Sequence, residues 1–577
     1  MTRSKVALAV AALVTAALHL SSIPRTIWEY DECFYALGVE RFQPLLHHPP
    51  PPGVPLYIAF VKLPALFLDP FHALVVTSVI ATLLGLIAWF LAFREIHADA
   101  GFAAILLYTC PALLISGVLP QSDAGALALF GLAALACARG NPYAIAIACA
   151  ATVGWRPQFA IAVVPMFAVA VLQLRTWRDR IAAVATFSGA CLAWLVPLVI
   201  ATGGPAPFWK WMSGQAAYYA AHDANLSRSG HSLAQIALRF VAHPWGPKWL
   251  SIPLLALAAA GATTALLRRN RKIVPLAAGA IVYLGFAITT MDPADAVRYM
   301  IPALPFVAIL VAIAFTRAPI VGVIVAVAYA LGSYWYAMPV LRARATSASP
   351  PVVAAEWIRA KVPRNAIVLY DLPLRPHADF LLREWKRMRI DEGLAAYGGR
   401  PDVPMVLYAD GERAEAEGVT FRWPDTDAYR KLTRQHYGAV SVVPLPPSQR
   451  FRVVDGVFAP ERTRDGQSWR WIGARGTIEL PNLGADRVRI VLRAPPEYPL
   501  DANRVCVDVH GRAVFVTVRR RASTEVVLPI PRGAVLITFT PERSFVPAKV
   551  SAKNRDQRTL SVMLTRVEQI YVTAGSR

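Results

Sequence analysis

Residues 6–24 read VALAVAALVTAALHLSSIP, and residues 28–35 follow almost at once as WEYDECFY. The first run is apolar and long enough to cross a bilayer core of ~30 Å as a helix. Arg3 and Lys5 precede it and hold its start in the cytoplasm. Asp31 and Glu32 are therefore expected on the outer face, at membrane depth. A carboxylate pair is costly there unless water or a partner receives it, which makes the pair a candidate functional site. A solvated acidic loop is the plain alternative, because carboxylates at an aqueous edge carry no automatic penalty.

Composition points to a membrane protein. Of 577 residues, 56% are hydrophobic and 17% charged, with mean hydropathy +0.42. An average soluble domain is ~25% charged. The net charge of +22 raises the question of nucleic acid. Its distribution excludes that class: the excess sits in short loops between apolar spans and is otherwise spread through the C-terminal third. No basic stripe interleaves with aromatics. Cys33, Cys110, Cys137, Cys149, Cys191 and Cys506 offer neither a disulfide framework nor metal-ligand spacing, and four of them lie inside apolar runs. No cofactor is expected, although the sequence leaves a divalent metal open.

Further apolar runs fall at 71–92, 101–119, 122–138, 142–154, 157–174, 181–201, 248–267, 273–290, 300–316 and 319–339. With the first they predict about eleven membrane-spanning helices. Arg94, Arg139, Arg175, Arg178, Arg180, Arg268, Arg269, Arg271, Lys272 and Arg317 fall on one side of that arrangement. This is the positive-inside pattern. Asp31, Glu32, Asp123, Asp223, Asp292 and Asp295 fall on the other. An odd number of spans also places residues 340–577 outside.

Two long outer loops stand out. Residues 25–70 contain His47, His48 and the prolines 49–52, which favour an extended path over a helix. The stretch LYIAFVKLPALFL at 56–68 is too short and too proline-bounded for a span, and reads as a helix on or slightly within the membrane surface. Residues 202–247 hold Phe208, Trp209, Trp211, Tyr218, Tyr219, His222 and Trp245. Such aromatics suit a membrane interface and equally suit the face of a sugar ring.

Composition changes after Pro339, and residues 340–350 read as a linker. From 350 to 460, VVAAEWIRAKV has helical spacing, while AIVLYD, VPMVLYAD and AVSVVPLP read as short buried strands of a small α/β domain. From 461 to 577, short strands separated by turns predict a β-sandwich or jelly roll.

Four features, spread over residues 1–340, resemble the GT-C membrane glycosyltransferases, in particular the aminoarabinose transferases and protein O-mannosyltransferases. Asp31-Glu32 follows the first span, and His48-Pro49-Pro50 follows in the same outer loop. Pro120-Gln121-Ser122-Asp123 resembles a P-x-SD turn, and Arg298-Tyr299 through Pro305 resembles an RY-x-x-P-x-x-P opening of a late span. Trp155-Arg156-Pro157-Gln158 also looks family-like. The sequence departs from those relatives in its four prolines and in His48, which stands where aminoarabinose transferases carry Lys. Its C-terminal portion fits neither family closely.

The resemblance implies an inverting transfer of a sugar from a polyprenyl-phosphate lipid to a lipid, glycan or protein acceptor on the outer face of the inner membrane. By that resemblance Asp31 is the general base, and Glu32 orients the acceptor or tunes Asp31. Arg298, with its planar fork, is expected on the donor phosphate, accompanied by Tyr299, His48 and Arg156. Asp123, Trp209, Tyr218 and His222 are expected toward acceptor or sugar. Arg298 and Arg156 also suit helix anchors at head groups, and Asp123 a helix cap. Three other classes share some of these features: a lipid-linked oligosaccharide ligase, a transporter and a non-catalytic scaffold. A transporter is expected to place charges near the midplane, whereas here they gather at the outer rim.

Overall fold

The computed structural model describes residues 3–570 apart from 98–99, 223–231, 398–399, 401, 412–417, 434–437, 447–449, 463–467, 483–484, 495–497 and 551–555. It divides into two compact units. One is Met1–Ser349 with Pro424–Gln435, and the other Pro350–Trp423 with His436–Arg577. The boundary expected at 340 therefore moves to 349. A short segment expected in the α/β domain belongs to the helical unit instead.

Among the described residues of the helical unit, five helices, against about eleven expected spans, are long and apolar enough to cross a membrane: Pro70–Ile96, Trp177–Ala201, Lys248–Leu267, Arg271–Thr290 and the one that begins at Pro319. A sixth candidate is the pair Pro293–Tyr299 and Ile301–Ala314, bent by 45°. Arg3–Ser21, Asp123–Arg139 and Pro142–Trp155 are shorter. Local chemistry sets their ends. Asp69 accepts hydrogen bonds from the Phe71 and His72 amides at 3.1 and 3.2 Å, with Pro70 at the first helical position. Gly140, at φ 72°, ends Asp123–Arg139, and Asn141 then caps the helix that opens at Pro142. Trp89, buried in Pro70–Ile96, donates its indole N–H to the Leu127 carbonyl at 2.9 Å.

Two expectations need correction here. The run 101–119 is not one helix but two, Ala103–Thr109 and Pro111–Ser116. Pro111 lacks an amide and drives Cys110 to an extended φ/ψ of −66°/146°. Residues 340–346 are not linker: they complete the helix Pro319–Thr346, and Arg344 on it is 1% exposed. The stretch 56–68 forms a helix Pro55–Val61 and a single turn Pro64–Leu66, with Leu66 and Phe67 exposed.

The second unit holds two sheets. The first contains β1 (Ile367–Tyr370), β2 (Lys386–Arg389), β3 (Met405–Asp410), β4 (Val419–Arg422) and β5 (Ala439–Pro444), in the order β2-β1-β3-β5-β4. The first three are parallel, and β5 runs antiparallel to its two neighbours, β3 and β4. The second sheet has eight strands: β6 (Arg452–Arg462), β7 (Ser468–Asn482), β8 (Arg487–Arg493), β9 (Ala502–Val509), β10 (Arg512–Arg519), β11 (Ser523–Pro529), β12 (Gly533–Pro541) and β13 (Met563–Ile570). The order β10-β9-β12-β7-β13-β8-β11 has its two ends adjacent in sequence, so the sheet curls over one core. Alternation puts Val488, Ile490 and Leu492 of β8 inside with Val505, Val507 and Val509 of β9. This β-region begins at Arg452 rather than 461, because β6 pairs along β7.

Candidate active site

The helix Tyr30–Glu40 follows the first apolar helix and presents Asp31 from its first turn. A helix N-terminus favours a carboxylate there. Gly38 lets the chain at His48-Pro49 lie directly on this helix: a Cβ at residue 38 would come within 2.9 Å of the Pro49 nitrogen. That contact brings the proline loop alongside Asp31. The loop closes on itself, with the Gln43 amide donating to the His48 carbonyl at 2.6 Å and the Gly53 amide to the Pro50 carbonyl at 2.9 Å. Val54 then adopts φ 33°, a strained backbone for a β-branched residue.

Three further segments converge on Asp31. Arg298 sits in the helical turn Ala296–Tyr299 before the bend. Its Nη1 lies 2.9 Å from Asp31 Oδ2, and its Nε lies 3.1 Å from Asp123 Oδ2. Arg156, at the end of Pro142–Trp155, reaches the same Asp123 oxygen with Nη1 at 3.1 Å and donates to Ser122 Oγ at 2.7 Å. Gly125 leaves room for the Trp155 ring, whose N–H donates to the Ser122 carbonyl at 3.1 Å. Tyr57 and Phe60 pack on that indole at centroid distances of 5.5 and 5.4 Å. Two carboxylates and two guanidiniums thus form one chain of charge, Asp31–Arg298–Asp123–Arg156, backed by aromatic rings.

The chain borders a pocket of about 100 Å³ lined by Tyr30, Asp31, Tyr35, the prolines 50–52, Val54, Arg156, Gln158, Gln215, Tyr218, Arg298 and Tyr299. Of the residues expected at the site, Asp31, Arg156, Arg298, Tyr299 and Tyr218 are on its wall. Asp123 is behind it, with a side chain 2% exposed and its Oδ2 shared by both arginines. It contacts both guanidiniums and does not line the pocket. His48 is not on the wall; its ring lies 6.0 Å from that of Phe34. Trp209 is 72% exposed on Pro205–His222 and does not line the pocket. The His222 side chain, like Asp223, lies outside the described residues.

Glu32 turns away from the pocket. Its Oε2 accepts the Trp28 and Glu29 amides at 2.7 and 3.2 Å, and its Oε1 lies 3.4 Å from Arg344 Nη1. Arg344 Nη2 lies 2.5 Å from Glu29 Oε1, and its guanidinium covers the Trp28 ring at 5.5 Å. Burial pushes the carboxyls of Glu29 and Glu32 up, and Arg344 pulls them back down. Sequence reasoning missed Glu29, Arg344 and Gln215, whereas Gln158 was named in the family-like run 155–158 without a role of its own. Among the described residues no group of three or more His, Cys, Asp or Glu side chains is placed to hold a metal ion.

The fold that carries this site is that of the GT-C membrane glycosyltransferases, as the motif order led one to expect. The likeness is to ArnT, the aminoarabinose transferase from Cupriavidus metallidurans, solved bound to undecaprenyl phosphate and in the apo state. Both comparisons have TM-score 0.50 and 13% identity, and cover 76% of this chain and 97% of that one. Arabinofuranosyltransferase AftD from Mycobacteria matches with TM-score 0.43 and 11% identity, over 99% of this chain and 59% of its own. No protein-family model and no curated protein matches the chain.

Proposed function

We propose that this protein is a membrane glycosyltransferase that moves a sugar from a polyprenyl-phosphate donor to an acceptor hydroxyl, with inversion at the anomeric carbon. The observation that carries this is the 2.9 Å contact of Asp31 with Arg298 on one pocket wall. It brings a base and a phosphate-binding cation within the span of a single reacting centre. Asp31 takes the proton of the acceptor hydroxyl as its oxygen bonds to the anomeric carbon. The bond from that carbon to the phosphate oxygen breaks, and the leaving phosphate takes the electron pair. Arg298 meets its developing charge through a bidentate fork, with Arg156 and Tyr299 beside it. Tyr30 and Tyr218 offer aromatic faces to the sugar. Asp123 holds both arginines in place. ArnT, solved with undecaprenyl phosphate, supports that class of lipid.

Purified, lipid-reconstituted protein supplied with radiolabelled polyprenyl-phosphate sugars and a membrane extract is expected to transfer label to acceptor. Transfer from an added polyprenyl-diphosphate-linked oligosaccharide, with release of polyprenyl diphosphate, and none from the monophosphate donors would favour the ligase. No transfer together with no binding of undecaprenyl phosphate would remove the enzyme reading.

The basic loops support a reading in which the pocket and the second unit face the outer side of the inner membrane. Cys506 of β9 belongs to the second unit and is partly exposed. In intact cells with a permeable outer layer, a membrane-impermeant thiol reagent is expected to label it. Labelling that requires rupture of the inner membrane would invert the topology.

A further inference from the structure

The segment that carries Asp31 is held by the end of the last long helix. Besides the paired contacts to Glu29 and Glu32, the Arg344 carbonyl accepts the Arg25 amide at 2.8 Å. Just beyond, the Ser349 amide donates to Thr26 Oγ1 at 3.0 Å, and the Ser349 hydroxyl donates to the Ile27 carbonyl. The Trp28 ring, under Arg344, also meets Tyr429 of the returning segment at 6.0 Å. Asp31 is therefore flanked by two anchored carboxylates, Glu29 and Glu32, and both anchors end on one guanidinium.

We infer that Arg344 is a positioning residue: it fixes the first turn of the helix Tyr30–Glu40 so that Asp31 points into the pocket. Arg344 itself does not line that pocket. The inference rests on Asp31 being the base. A guanidinium is required because one nitrogen serves each carboxylate while the cation lies over the Trp28 ring, and an ammonium offers a single point. The buried cluster has no other described cation in contact with both carboxylates, so loss of the fork loosens the turn although the Glu32 contacts to the Trp28 and Glu29 amides remain.

The test uses full-length protein in nanodiscs and two variants, Arg344→Lys and Arg344→Gln. Hydrogen exchange reads positioning without reference to activity. Amides 30–34 are expected to lose protection at least about tenfold in Arg344→Lys, while the helices Pro70–Ile96 and Trp177–Ala201 keep theirs. Unchanged protection at 30–34 in both variants would overturn the inference, as would a uniform loss through all helices.

Kinetics then read the consequence. Arg344→Lys is expected to lower kcat about tenfold or more, with the affinity for undecaprenyl phosphate within about twofold of wild type. Combined with Asp31→Asn it is expected to add no further loss, because both changes act through one carboxylate. Losses that multiply in the double variant would overturn the inference. Transfer that is normal in Asp31→Asn would instead overturn the base assignment, and the exchange result would still decide whether Arg344 sets the turn.

Discussion

Asp31→Asn is expected to slow transfer by ~10²–10⁴, the range for losing a general base. The amide nearly matches the carboxylate in shape, so the turn should stay folded, but it cannot take the acceptor proton at neutral pH. Arg298 loses one of its two carboxylate partners, yet Asp123 still holds its Nε at 3.1 Å. The cation therefore stays in the pocket, and undecaprenyl phosphate should bind at least as well as to wild type. Turnover of a radiolabelled polyprenyl-phosphate sugar and equilibrium binding of undecaprenyl phosphate, on the same preparation, separate the two effects. More than about a tenth of wild-type turnover lies far above that range and would mean that Asp31 is not the base. Glu32→Gln provides the contrast. Gln keeps an oxygen for the Trp28 and Glu29 amides and for Arg344, so the turn stays held and the rate should fall far less than in Asp31→Asn. A dead Glu32→Gln beside an active Asp31→Asn would exchange the roles of the pair.

The apolar runs revealed most of the helices because hydrophobic length is a property of one segment at a time. The four-residue charge chain was legible only as separate motifs. Asp31 and Arg298 are 267 positions apart, and nothing within either segment states that they meet. Arg344 was harder still. It sits in LRARAT, where two arginines and a threonine read as a solvated linker. What buries it is the tertiary arrival of Glu29 and Glu32, 315 and 312 positions away. The strand KRMR at 386–389 escaped for a related reason: it is a short edge strand whose polar residues alternate nowhere with apolar ones except Met388. The break at Cys110 did carry a signal in Pro111, which outweighs the apolar run around it. Trp209 shows the opposite error. Aromatic type drew it toward the site, but helix phase turns it outward while Gln215 and Tyr218 of the same helix face the pocket.

Arg298→Ala is expected to weaken undecaprenyl phosphate binding about ten- to a hundredfold. A hydrogen bond to a charged group contributes ~1.5–3 kcal/mol, and each ~1.4 kcal/mol is tenfold in affinity. Catalysis should fall further, because the phosphate gains charge as its bond to the sugar breaks and the lost donor served that state most. The change also leaves the buried Asp123 with Arg156 as its remaining ion-pair partner. Part of any loss could then reflect a collapsed site, and Arg298→Lys distinguishes the two causes. Lys keeps a positive charge near Asp31 and Asp123 but contacts phosphate as a single point, so it should restore stability nearly in full and binding only in part. Full recovery of both affinity and turnover in Arg298→Lys would show that charge alone suffices and that the fork has no role. Wild-type affinity in Arg298→Ala, measured on folded protein, would remove Arg298 from the phosphate and transfer that role to Arg156, the other guanidinium on the same pocket wall.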